Sequence, residues 1–247
     1  MLANDNTETL HLVYSQGDGL PGWGQGPAHS AAAPVPGTLP AMDNAVLLLQ
    51  VLLASPAVNL QAVADVIRND VGLTVELIKS VCRENDRDQT IETNITNNVV
   101  HAGLDKLRHL ASTVDSVSGY MCGGADLLKY ERFWGQARLT GLIAEELAYR
   151  AGNVGPEEAY VAGLLFRIGE LPAILGNNWK NMVMAPREMA RLLAKTWRLP
   201  GLLADVVYDD NLHASPESRP LMDLVRVADR QARRIHGLAS NFARGVF

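Results

Sequence analysis

Residues 156–172 read PEEAYVAGLLFRIGELP, and this stretch decides the class of the fold. Pro156 has the fixed φ and the missing amide that a first helical turn accepts. Glu157 and Glu158 set negative charge against the positive end of a helix dipole. The pattern predicts a helix from Pro156 to about Gly169. Upstream, a long helix is expected over Ala125 to Ala151, closed by Gly152. Downstream, Pro186 opens a helix that reaches Trp197. Leu199 to Tyr208 and Arg219 to about His236 follow with the same periodicity. Outside the first forty residues no segment alternates with the period of two that a half-buried strand needs. The reading is all-α.

The first half continues the pattern. Ala45 to Ala54 is apolar on nearly all sides, which predicts a central helix, and Ser55-Pro56 ends it. Asn59 has the look of an N-cap before Leu60, Val63, Ala64 and Ile67, which share one helical face. Asp70 is placed as a second cap, before Val71, Val75, Ile78 and Cys82. Residues 84–90, ENDRDQT, read as a polar loop. Ile95 to His101 reads as a short helix, broken at Gly103 and resumed from Leu104 to about Val117. Gly123-Gly124 is the best internal boundary. The expectation is about ten or eleven helices. They form an N-terminal helical lobe over residues 41–122 and a second lobe over 123–240, with a tail at 241–247. Residues 1–40 are a Gly/Pro-rich leader without Lys or Arg. In it Leu10 to Tyr14 could form a short strand or a clip. The leader is read as a flexible arm, or alternatively as an arm that docks on a partner.

Composition removes several classes. The chain has 247 residues, 47% apolar and 20% charged, with a net charge of -5. That is a globular composition with enough chain for a full core. The negative balance argues against broad nucleic-acid binding, which needs cations to displace counterions from phosphates. Cys82 and Cys122 form no zinc pattern and are expected as two small buried thiols, a disulfide being the alternative. MLANDNTETL lacks the basic and apolar regions of a secretory signal. The most apolar segment, Ala45 to Ala54, is far short of the roughly 20 residues that span a bilayer. No membrane insertion and a cytoplasmic location are expected. The glycines of GDGLPGWGQG have neither a preceding strand nor a following helix, so they make no nucleotide fingerprint. There is no GxSxG, and no phosphate loop.

The order of several segments resembles the HDOD family, a regulatory relative of the HD-domain metal-dependent phosphohydrolases. The segments are TLPAMDNAVLLLQVL (38–52), LQAVADVIRNDVGLTVELIKSVCREN (60–85, with Val71 where the family usually has proline), NNVVHAGLDKLRHL (97–110), YVAGLLFRIGELP (160–172), LLAKTWRLPGLLADVVYDD (192–210) and LVRVADRQAR (224–233). The resemblance implies a multi-helical HD-like bundle and a role in bacterial signal transduction. An active HD site needs a histidine on one helix, a His-Asp pair on a second and a late aspartate. Their imidazole and carboxylate donors converge on a divalent ion that acidifies a bound water. On the resemblance these positions fall at Gln136, at Phe166-Arg167 and at Asp229. Only Asp229 keeps a ligand side chain, and Arg167 puts a fixed positive charge where the cation would sit. The site reads as vestigial, with no catalytic residue, no metal ligand set and no cofactor. Arg167 is expected either to pair with Asp229, the guanidinium standing in for the ion, or to be an ordinary surface charge.

Of the six histidines, only His213, following Asp209 and Asp210, lies among metal-like residue types, and that stretch reads as an inter-helix loop. Arg226, Arg230, Arg233 and Arg234 recur at helical spacing near the end of the chain. Residues 219–247 hold six arginines against Asp223 and Asp229. This row is a candidate surface for an acidic partner or an anion, or else a solvated helix face. Trp179 and Trp197 are read as packing. The expectation is a non-enzymatic regulatory module acting through protein contacts, with nucleic acid unfavoured and the oligomeric state open. The alternatives are a sensor that binds a nucleotide or other anion in the vestigial pocket, and a phosphohydrolase with a rearranged site.

Overall fold

The computed structural model describes residues 38–82, 93–120, 124–175, 184–210 and 214–243. The leader up to residue 37, the polar loop at 84–90, Cys122, Trp179, His213 and Arg244 lie outside the described residues. Eleven α-helices are present among the described residues: α1 Asp43–Ala54, α2 Leu60–Arg68, α3 Val71–Cys82, α4 Ile95–Thr113, α5 Val117–Tyr120, α6 Gly124–Ala151, α7 Pro156–Leu165, α8 Leu171–Leu175, α9 Pro186–Thr196, α10 Gly201–Tyr208 and α11 Ser218–Ala243. The pairing closest to a sheet is an isolated parallel bridge between Ala41 and Ser116. The fold is all-α.

Local chemistry sets many helix ends where the sequence puts them. The Asn59 side chain accepts hydrogen bonds from the backbone N–H groups of Gln61 and Ala62, at 3.0 and 3.2 Å. Asp70 accepts from Leu73 N–H at 2.9 Å and so caps α3. Gly103 breaks α4 with φ +73° and ψ 164°, a positive-φ conformation that is open to glycine and that L side chains rarely adopt. Other ends differ. The helix after Gly103 stops at Thr113, because residues 114–116 turn extended: Ala41 N–H donates to Asp115 O at 2.8 Å and Val117 N–H to Ala41 O at 2.9 Å. The helix opened by Pro156 stops at Leu165, not near Gly169. A single 3-10 turn over Ile168–Glu170 and the short α8 follow it. The last helix runs on past His236 to Ala243.

The central helix is α7 and not α1. Seven consecutive residues of α7, Ala159 to Leu165, are buried. In α1 only Val46, Leu49 and Leu53 are buried, and Leu47, Leu48 and Val51 stand 62%, 49% and 60% exposed. The correction has a simple cause: α1 packs on α2 and α4 through one face, and an apolar composition does not supply a second set of neighbours. α7 lies along α6, and α11 packs across both. The α6–α7 contact is close because two glycines meet: a Cβ on Gly163 would lie 2.9 Å from the Gly141 Cα, and one on Gly141 would lie 2.9 Å from the Tyr160 carbonyl oxygen.

The first helices are tied to α6 and α7 by polar side chains. Arg68 meets Glu145 at 2.5 Å and lies over the Tyr160 ring at 3.8 Å. Tyr160 OH donates to the Arg68 carbonyl at 3.1 Å, and Arg138 Nε donates to Asn69 Oδ1 at 3.1 Å. Asp70, fully buried, also accepts from Met42 N–H at 3.0 Å. Tyr130 OH donates to the Pro40 carbonyl. Residues 40–42 are thus held from three sides.

Candidate functional site

The four positions that the sequence assigns to the vestigial site sit on three elements. Gln136 is on α6, Phe166 and Arg167 follow the end of α7, and Asp229 is on α11. Arg167 leaves the helical region, at φ -108° and ψ 18°, and this turn aims its side chain toward α11. Its Nε donates to Asp229 Oδ1 at 2.7 Å. A second guanidinium nitrogen, Nη1, donates to Glu170 Oε1. The other Asp229 oxygen, Oδ2, is met by Arg233 Nη2 at 2.7 Å from one turn along α11. Asp229 is buried, with its side chain 2% exposed, whereas those of Arg167 and Arg233 are 22% and 50% exposed.

The buried carboxylate therefore has an arginine on each oxygen. Charge-assisted bonds of this kind hold the ionised form of a carboxylate in a place where it would otherwise be costly. Gln136, on α6, makes no hydrogen bond to the pair. Its backbone oxygen accepts from Thr140 Oγ1 at 2.9 Å, and its amide nitrogen is buried without a partner. Phe166 is half-buried against the core.

A small cleft of about 120 Å³ opens beside Phe166, Arg167 and Glu170 and is closed by Pro186, Arg187 and Asp209. A divalent ion does not fit this donor set. Of the four positions only Asp229 carries a carboxylate, and both of its oxygens, like Glu170 Oε1, already face guanidinium groups that repel a cation. Among the described residues no three His, Cys, Asp or Glu side chains come together in a way that could hold a metal ion.

The arginine row of α11 splits in two. Arg226 Nε meets Asp209 Oδ1 at 2.6 Å and its Nη1 meets Asp223 at 3.2 Å, so it closes the end of α10, where Asp209 is left-handed at φ +50°. Arg233 holds Asp229. Arg230 and Arg234 are exposed and form no ion pair with the described residues. Glu170, the third member of the Arg167 cluster, was not singled out from the sequence, although its i, i+3 spacing from Arg167 is the usual signal for such a pair. Cys82 is a free, buried thiol whose pKa burial pushes up to about 11, and Trp197 is buried in the core.

The arrangement of helices agrees with what similarity to known proteins gives. The HDOD domain model matches residues 39–183, more than half of the chain, and the chain belongs to the HDOD family. The matched span ends before α9, so Asp229 lies beyond it. A crystal structure of the MmoQ response regulator from Methylococcus capsulatus superposes with a TM-score of 0.62 at 18% identity, covering 80% of this chain and 87% of that one. A fragment of the same regulator gives 0.60 at 17% identity, with 79% and 84% covered. An HDOD domain protein from Geobacter sulfurreducens is 24% identical over 78% of this chain and 72% of that one, with a TM-score of 0.36. No curated protein matches the sequence. Among the described residues no helix is long and apolar enough to cross a membrane.

Proposed function

We propose that the protein is a non-catalytic bacterial regulatory module that works in the cytoplasm through protein–protein contacts. The observation that carries this reading is the double capture of Asp229 by Arg167 and Arg233. In a metal-dependent HD centre the late aspartate gives its oxygens to the ion, which activates water. Here the same position gives them to two fixed cations. The guanidinium of Arg167 joins the end of α7 to α11 as a bound ion would, but supplies no acidified water. The centre becomes a structural tie, and function passes to the surfaces that the tied helices present. Membership of the HDOD family and a fold shared with a protein described as a response regulator support a signalling role.

The test is direct. The purified full chain, supplied with manganese and a chromogenic phosphodiester, should turn over no faster than the metal alone. Turnover above that blank, abolished by Asp229→Asn, would overturn the proposal. Cross-linking of the tagged chain in its native host should recover a discrete protein partner, and that partner should be lost with Arg230→Glu/Arg234→Glu.

A further inference from the structure

The outward face of α11 changes character along its length. Up to Asp229 the acids of the helix are engaged: Asp223 meets Arg226 at 3.2 Å, and Asp229 meets Arg167 and Arg233, each at 2.7 Å. No Asp or Glu follows Asp229 in the sequence, and every basic side chain after Lys195 that carries a fixed charge is an arginine. Arg230 and Arg234 are exposed, and neither forms an ion pair with the described residues. Two like charges spaced i, i+4 are neighbours on a helix and destabilise it, so helix stability does not account for the pair. The two guanidiniums lie between two exposed apolar side chains spaced i, i+8, Val227 at 38% and Ile235 at 48% exposure.

We infer that this face of α11 receives an acidic amphipathic helix of a partner protein. At about 1.5 Å of rise per residue, Arg230 and Arg234 are set about 6 Å apart along the axis, and Val227 about 12 Å from Ile235. A helix with carboxylates at i, i+4 and an apolar residue beyond each repeats both spacings. Each carboxylate then meets one guanidinium, and the apolar side chains close over Val227 and Ile235. Arginine suits this role better than lysine, because its planar fork takes both oxygens of a carboxylate. Other polyanions fit less well. Single-stranded nucleic acid is held by many phosphate contacts and by stacking on aromatic rings, and the sequence from Ser218 to Gly237 has no Phe, Tyr or Trp. A membrane surface takes an unbroken apolar stripe with the cations on the other face, whereas here the cations interrupt the apolar pair. The inference rests on the proposed regulatory reading, to whose partner it gives a chemical form.

The experiment is a titration of the full chain with a synthetic helical peptide that carries two glutamates one turn apart, flanked on the same face by leucines. Binding is followed by backbone chemical shifts and by thermal midpoint. The peptide should bind saturably, shift the amides of residues 227–235 and raise the midpoint. A peptide with glutamines for the glutamates, and one of the same composition with its glutamates on the opposite face, should each bind roughly tenfold more weakly. Arg230→Ala/Arg234→Ala should weaken the glutamate peptide by about tenfold or more while the midpoint of the free protein is kept. Phosphatidylserine vesicles and a single-stranded oligonucleotide should bind more weakly than the peptide. No saturable binding, equal affinity for either control peptide, undiminished binding to the double variant, or tighter binding of the vesicles or the oligonucleotide would each overturn the assignment. The two readings fail separately: phosphodiester turnover removes the regulatory reading, whereas a failed titration without turnover removes only the acidic helix.

Discussion

Arg167 Nε and Asp229 Oδ1 meet at 2.7 Å across 62 positions of chain, and this contact joins the turn after α7 to the last helix. Removing one partner of a buried pair costs more than the pair contributes, because a charge is left without compensation. Asp229 is the buried member, so Arg167→Met should be costly, although Arg233 remains on the other oxygen. A loss of roughly 2 kcal/mol is expected, below the 3–5 of a fully isolated charge. Arg167→Met combined with Asp229→Leu should recover much of it, because apolar replacement removes the buried charge as well. Denaturant unfolding of both variants and of Asp229→Leu alone completes the cycle. Additive losses would show that the two side chains are not energetically coupled.

Asp70 should make stability depend on pH. Its carboxyl is fully buried, and burial lifts its pKa from 3.8 to about 6 against the lowering effect of the N–H groups of Met42 and Leu73. A pKa raised in the native state means that the folded chain binds the proton more tightly. The contribution is complete below about pH 4 and is lost as pH rises through about 6. Thermal midpoints of the wild type should therefore carry a component that falls between these values. In Asp70→Asn that component should vanish, although the variant loses one acceptor for the two backbone N–H groups. Glu157 and Glu158, also raised by burial, contribute with the same sign and remain in the variant. A carboxyl titration by NMR that places Asp70 near its ordinary value would contradict the expectation.

The helices were legible in the sequence wherever a local signal fixed them. Pro156 with Glu157 and Glu158, the caps Asn59 and Asp70, and the break at Gly103 each act within one turn, so the residue and its consequence are neighbours in the chain. The Arg167–Asp229 contact was legible as one of two readings, because a charge reversal beside a retained acid leaves few alternatives. What depended on distant chain was not legible. Whether the apolar α1 would be central was decided by what packs on it, and nothing in its own twelve residues says that Leu47 and Val51 stay more than half exposed. The hold on residues 40–42 by Asp70 and Tyr130 joins positions 28 and 90 apart.

Gly163→Ala should destabilise strongly. The added Cβ would meet the Gly141 Cα at 2.9 Å and its nitrogen at 3.0 Å, backbone atoms that cannot move aside as a side chain can. α6 and α7 must separate, and overpacking of this kind costs about 1–3 kcal/mol. Gly103→Ala meets nothing within 4 Å, and its cost comes from the backbone alone at φ +73° and ψ 164°, about 1–3 kcal/mol. The comparison is made by urea unfolding of both variants. A loss below about 1 kcal/mol for Gly163→Ala would mean that the two helices are not held as closely as described.

The arginines of α11 should separate into two classes under substitution. Arg226 is 20% exposed at its side chain and bridges Asp209 and Asp223. Arg226→Ala also frees the left-handed end of α10 at Asp209, and the expected loss is about 1 kcal/mol, as for a well-placed partly buried pair. Arg230→Ala and Arg234→Ala should stay within about 0.5 kcal/mol of the wild type, the range for surface changes away from special features. A partner whose binding needs Arg230 and Arg234 would then be lost without any loss of stability, which separates a contact surface from a folding element. High salt should weaken that binding as well, since exposed charges are screened over roughly 10 Å at 0.1 M. Thermal midpoints of the three variants, with binding measured at two salt concentrations, decide it: a large destabilisation by Arg230→Ala would show that this side chain is structural and remove it from the contact surface.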